Sequence, residues 1–186
     1  TVVGWGNNNY GKSNVPSDLT NVVAVAAGYG FSLALKAGGT PVAWGFYYDG
    51  LTNVPPHLTN VVAGAAGISH AAALKADGTV EVWGSNSHGQ RDVPPDLTNV
   101  VMLAAGGYHT LALKADGSVV GWGDAGNGYG EATLPPGISN VIAVSAGYGL
   151  SLVIQPNLPP QAFLQRVAAV ANRDIIITLA GADPDK

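Results

Sequence analysis

Ala65-Ala66-Gly67-Ile68-Ser69-His70-Ala71-Ala72-Ala73-Leu74-Lys75-Ala76-Asp77-Gly78-Thr79-Val80-Glu81-Val82-Trp83-Gly84 sets two short apolar runs on either side of an Asp-Gly pair. Gly accepts positive φ, so Asp-Gly between two such runs signals a hairpin turn. The stretch is not unique. Trp-Gly stands at Trp5, Trp44, Trp83 and Trp122, 39 residues apart each time. Asn-Val-Val begins at Asn21, Asn60 and Asn99, and Asn-Val-Ile begins at Asn140, at spacings of 39, 39 and 41. The two extra residues fall in the loop 124–136. Small-residue turns end at Gly28, Gly67, Gly106 and Gly147, and Leu-Lys-Ala recurs at Leu35, Leu74 and Leu113. Four markers in phase define a tandem repeat.

Each unit reads as short strands and turns. Val22–Ala26 is β-branched and small and stops at a Gly turn. Phe31–Lys36 alternates, with Leu33 and Leu35 on one face and Ala34 and Lys36 on the other. Thr79–Trp83 is a third strand, closed by Trp-Gly. No ten-residue segment has helical periodicity free of Gly and Pro, which excludes helical solenoids. A 39-residue all-β unit fits one propeller blade. The Ala pairs suit strands crowding towards an axis, and the tryptophans suit the wider space between blades. All four tryptophans are therefore expected in equivalent, mostly buried positions.

The order Ala65-Ala66-Gly67, His70, Leu74-Lys75, Asp77-Gly78, Trp83-Gly84, Gly89-Gln90 resembles the repeat of the regulator of chromosome condensation family. His109 holds the same place as His70, while Phe31 and Leu150 replace it elsewhere. Within that family the short blade and the Val-Pro connection are similar to the secreted bacterial propellers that inhibit β-lactamases. The resemblance covers about residues 1–155 and implies a seven-bladed ring. On that reading the chain is a fragment, with complete blades at 7–45, 46–84 and 85–123 and partial ones at 1–6 and 124–155. Val2–Gly6 would be the last strand of one blade and Ser151–Ile154 a late strand of another. Those two pieces could also join as one composite blade and close a four-bladed ring.

After Ile154 the repeat stops. Residues 156–162 read as a Pro-rich linker. Residues 163–186 resemble the start of a bacterial immunoglobulin-like or cadherin-like domain. Asp183 and Asp185 are two carboxylates, too few for the six to eight oxygens that Ca²⁺ takes.

Composition narrows the function. Charged residues are only 11 %, Lys plus Arg is 8 against 12 Asp plus Glu, and the net charge is −4. Residues 1–155 hold only Lys12, Lys36, Lys75, Arg91 and Lys114, without the basic cluster that a nucleic-acid binder needs. There is no Cys, hence no disulfide framework and no thiolate nucleophile. No apolar run is long enough to span a membrane.

Candidate chemistry is sparse. Gly121–Gly126 matches GxGxxG, but no βαβ unit surrounds it, and the equivalent Ala43–Tyr48 lacks the pattern. His70 and His109 lie one blade apart and read as structural. His57 and His88 are single loop histidines, so no metal set is expected. Asp77 and Asp116 head turns. Ser, His and Asp occur, but none in a nucleophile elbow. Catalytic residues, metal ligands and cofactors are therefore not assigned.

The positions that differ between repeats are free to serve a face. After each Trp-Gly come Asn7–Tyr10, Phe46–Asp49, Ser85–His88 and Asp124–Asn127. After each small-residue turn come Tyr29, Ile68, Tyr108 and Tyr148. Tyr and Asn on loops of a rigid scaffold are typical of binding surfaces. Tyr10, Tyr29, Tyr47, Tyr48, His88, Tyr108, Tyr129 and Tyr148 are accordingly expected to carry partner binding. The expected function is a non-enzymatic protein- or glycan-binding module of a secreted or surface bacterial protein. Inhibition of a secreted hydrolase and guanine-nucleotide exchange are the rival readings. Neither nucleic acid nor membrane insertion is expected.

Overall fold

The computed structural model describes residues 1–124 and 130–156. Its strands are β1 (Val22–Ala27), β2 (Phe31–Lys36), β3 (Pro41–Gly45), β4 (Val61–Ala66), β5 (His70–Lys75), β6 (Val80–Gly84), β7 (Val100–Ala105), β8 (His109–Lys114), β9 (Val119–Gly123), β10 (Ala143–Ala146) and β11 (Ser151–Ile154). They form three antiparallel three-stranded sheets, β1-β2-β3, β4-β5-β6 and β7-β8-β9, and a two-stranded sheet β10-β11. Neighbouring sheets pack face to face in chain order. The result is all-β, an arc of propeller blades. The only helical turns among the described residues are short 3₁₀ turns at Asn9–Gly11 and Tyr48–Gly50. The immunoglobulin-like reading, with Asp183 and Asp185, lies outside the described residues, and so does Tyr129.

Register repeats from blade to blade. Phe31 faces Gly45, His70 faces Gly84 and His109 faces Gly123. Each first strand carries one irregularity, between Val22 and Ala24, Val61 and Ala63, and Val100 and Met102. The Asn before it is held at positive φ: Asn21 at 56°, Asn60 at 57°, Asn99 at 58° and Asn140 at 53°. Asn tolerates this left-handed conformation better than other non-Gly residues. In the first three blades its carbonyl accepts the N–H of Ala37, Ala76 or Ala115, which ties the blade entry to the β2–β3 type hairpin.

The expected alternation along the second strand is incomplete, because both faces of that strand are covered. Leu33, Ala34 and Leu35 are all buried, as are Ala71 to Leu74 and Leu111 to Leu113. What alternates is size. Phe31, Leu33 and Leu35 share one core cluster with Ala71, Ala73 and Trp83 of the next blade. Ala72 and Leu74 cluster with Ala112 and Trp122 of the third blade. Leu111 and Leu113 cluster with Val141 and Val144 of the fourth. The blades thus present mainly large side chains forwards and small ones backwards, with Ala72 and Val153 as exceptions. Its Trp fills the wider gap towards the preceding blade.

This polarity corrects the expectation that the four tryptophans are equivalent. Trp83 and Trp122 are 5 % and 6 % exposed, and their indole N–H groups donate to the carbonyls of Leu51 and Gln90 at 3.0 and 2.8 Å. Trp44 is half-buried, and its indole N–H has no acceptor among the described residues. Trp5 is 85 % exposed. Val2–Gly6 does not form a strand and does not pair with β11, so no composite fourth blade is built.

Near the axis the backbones approach closely. A Cβ at Gly28, Gly67 or Gly106 would fall 2.5–2.6 Å from the carbonyl oxygen of Gly67, Gly106 or Gly147. The N–H groups of Tyr29, Ile68 and Gly107 donate to those same carbonyls at 3.2, 3.3 and 3.1 Å. Trp83→Ala and Trp122→Ala are each expected to destabilise the fold by about 3–5 kcal/mol, whereas Trp5→Ala changes stability by less than about 0.5 kcal/mol. Equilibrium urea denaturation of the three variants checks this.

Candidate functional site

The two variable loop sets share one end of the arc. In each full blade the turn after the first strand and the loop after the third lie together, because the second strand's first residue pairs with the Gly of Trp-Gly. Backbone bonds fasten them: Phe46, Ser85 and Asp124 donate to the carbonyls of Gly30, Ser69 and Tyr108 at 2.8–2.9 Å. The hairpin turns at Asp77-Gly78 and Asp116-Gly117 lie at the opposite end. There Asp77 and Asp116 accept from Thr79 and Ser118, side chain and backbone, which lowers both carboxyl pKa values and accounts for these acids as turn residues.

Those bonds also correct one equivalence. Tyr108 matches Gly30 and Ser69, and it is Gly107 that matches Tyr29 and Ile68. Tyr108 therefore leans outwards to the Trp-Gly loop rather than towards the axis. It stacks on His88, centroids 4.2 Å apart and planes at 26°, and meets Tyr148 edge-on at 6.3 Å. A second cluster joins the first two blades. Phe46 lies 4.5 Å from Tyr10, 5.0 Å from Tyr48 and 6.5 Å from Tyr47, and Tyr47 stacks on Tyr48 at 4.7 Å. Tyr29 is apart from both. The Lys12 ammonium sits 5.6 Å from its ring centroid and donates to its carbonyl at 2.9 Å.

Tyr10, Tyr29, Tyr47, Tyr48 and Tyr148 are exposed, while His88 and Tyr108 are half-buried. The sequence reading missed Phe46, the hub of the larger cluster. Its signal was its place directly after Trp-Gly, in a run of three aromatics. Gly30 makes room for it, since a Cβ there would stand 3.1 Å from the Phe46 Cβ. Local backbone fixes the aromatics: Tyr10 has φ of 66°, and Asp49, next to Tyr48, has φ of 58°.

His70 and His109 are buried and bridge blades. His109 Nε2 lies 2.9 Å from Ser151 Oγ, and Ser151 Oγ donates to the Glu131 carbonyl at 2.7 Å. The hydroxyl proton is thus spent on that carbonyl, which assigns the proton of His109 to Nε2. His70 Nε2 lies 3.0 Å from Thr110 Oγ1. Neither Nδ1 has a partner. Protonating a ring here would place a bare N–H in a dry interface. Burial, and then the neighbouring His109, push the His70 pKa down to about 4; burial also lowers that of His109. His57 instead lies at the surface, 2.9 Å from Glu81. No three His, Asp or Glu side chains gather as a metal set among the described residues.

The model of the regulator of chromosome condensation (RCC1) repeat matches residues 61–90 and 100–131. Over these two stretches, the second and third blades, the chain is similar to RCC1 repeats. Solved structures agree on the fold. Prp20p from Saccharomyces cerevisiae is 20 % identical at a TM-score of 0.63, covering 80 % of this chain and 50 % of its own. Yeast RCC1 (Prp20) bound to Kap60 is 24 % identical at 0.63, covering 76 % and 43 %. The ectodomain of the Physcomitrella patens receptor kinase CR4 is 24 % identical at 0.63, covering 77 % and 40 %. The chain spans half or less of each of these proteins. No curated protein matches the sequence.

The buried histidines set a pH dependence. With His70 at about 4 when folded and 6.5 when unfolded, the unfolded chain binds more protons between those values. Stability is therefore full above pH 6.5, falls as pH drops towards 4, and levels off below it. The His70 contribution is on the order of 3 kcal/mol. The double variant His70→Phe, Thr110→Ala copies the Phe31 and Ala71 pair of the first interface. Its stability is expected to fall less between pH 7 and 4 than that of the wild type, as measured by urea denaturation across pH.

Proposed function

We propose that this chain is a non-enzymatic partner-binding propeller module. Its loop end takes up a protein through Tyr10, Tyr29, Tyr47, Tyr48 and Tyr148, with Phe46, His88 and Tyr108 as their support. The observation that carries this reading is the exposure of five tyrosines at one end of a backbone that fixes them. A monomer surface rarely gathers large aromatics without use, and Tyr gives large contact area with little entropy to lose. The clusters differ from blade to blade, which suits an asymmetric partner and which a packing role does not require.

Protein is favoured over glycan by the structural neighbours. Yeast Prp20 was solved bound to Kap60, and Prp20p is described with binding properties towards Gsp1p and histones. The family resemblance to secreted inhibitory propellers supports a bacterial extracellular or cell-surface setting. It also supports a secreted hydrolase as the partner to try first, since Tyr10 and Tyr47–Tyr48 stand on adjacent Trp-Gly loops and can reach into a cleft together. Guanine-nucleotide exchange is the less favoured reading, because blades of 39 residues leave no room for an inserted wedge.

The test is capture of partners by the full chain from secreted bacterial proteins, with glycan arrays in parallel, followed by Tyr47→Ala and Tyr48→Ala. Each is expected to weaken the partner's affinity about 30-fold or more while Tm stays nearly constant. Unchanged affinity with a lowered Tm reassigns these side chains to packing.

A further inference from the structure

The backward face of the first blade is open. It borders a groove of about 500 Å³ whose lining includes Trp5, Val25, Ser32, Leu33 and Trp44. We infer that this face is built to dock another blade of the same repeat, one whose second strand opens on histidine, as β5 and β8 do.

The argument rests on the interfaces already described. At two of the three blade junctions an imidazole reaches forward to a hydroxyl: His70 to Thr110, and His109 to Ser151. At the remaining junction both members change together. Phe31 replaces the imidazole, Ala71 replaces the hydroxyl, and the two share one apolar cluster. The forward residue and the backward residue therefore match as polar with polar or apolar with apolar. Ser32 holds the backward position in the first blade, two repeats before Thr110. Its Oγ donates to the Lys12 carbonyl at 2.8 Å, just as Ser151 Oγ donates to Glu131 at 2.7 Å. Both pairs are 20 residues apart. At Ser151 that donation leaves the oxygen free to accept from His109. Ser32 is prepared in the same way to accept from an imidazole on an incoming blade.

The rule also says what does not fit. The forward position of the fourth blade is Leu150, exposed along with Leu152 and Ile154. Leucine there calls for an alanine-like partner, as Phe31 does. The two outer faces of the described arc are thus mismatched, and pairing Leu150 with Ser32, within one chain or between two copies, does not satisfy Ser32.

The chain's own repeat supplies the probe. Thr1-Val2-Val3-Gly4-Trp5-Gly6 parallels Ser118-Val119-Val120-Gly121-Trp122-Gly123. A second copy of residues 85–117 joined ahead of Thr1 in the full chain therefore continues the repeat in phase and completes a blade around Trp5. This addition contains no Trp. It is expected to raise Tm and to bury Trp44, which shares the backward face with Ser32, blue-shifting its emission and reducing acrylamide quenching. His109→Leu made in the added copy reproduces the contact Leu150 would make. It is expected to lower Tm by roughly 3–8 °C with Ser32 in place, and by less than half as much in the Ser32→Ala background. A Trp44 whose quenching is unchanged, or an added blade that leaves Tm unchanged, overturns the docking face. An equal penalty in both backgrounds overturns the histidine requirement.

Discussion

Everything in this arc depends on one asymmetry, that the second strand of each blade is mainly large on its forward face and small on its backward face. Leu33 and Leu35 meet Ala71 and Ala73, and Leu74 meets Ala112. Two equally large faces would hold the sheets too far apart for the axial Gly carbonyls to accept their backbone bonds. Two small faces would leave voids, and cavities in a core are costly. The large-to-small rule lets the blades close to hydrogen-bonding distance near the axis while Trp83 and Trp122 fill the wider space further out.

The asymmetry gives the structure a direction. A blade is covered by what stands on both sides of it, so among the described residues the second and third blades are packed on both faces and the outer ones on one. This is why one Trp-Gly marker yields a buried ring at Trp83 and a solvated one at Trp5. It is also why the buried imidazoles stay neutral. They are latches between blades, with one nitrogen satisfied and the other dry.

The same rigidity makes the loop end useful. The axial glycines and the bonds from Phe46, Ser85 and Asp124 hold two loops of each blade against each other, so variation at these positions changes the surface without changing the scaffold. The proposed binding surface is then written in the residues that break the repeat: the Phe46-Tyr47-Tyr48 run, Tyr10, and the displaced Tyr108 that stacks on His88.

The sequence alone determined the repeat, the β content, the turn role of Asp77 and Asp116 and the structural role of His70 and His109, because these are local or periodic properties. Phase markers at 39 residues are legible without any contact. The aromatic loops were legible as a composition. Their grouping was not. Phe46 became the hub, Tyr108 shifted by one residue, and Tyr29 stood apart beside Lys12, because side-chain partners across blades depend on hydrogen-bond register. The environment of each tryptophan was likewise decided only by tertiary structure. Identical motifs carry identical intrinsic preferences, but burial depends on the neighbouring blade, and no sequence motif contains its neighbour.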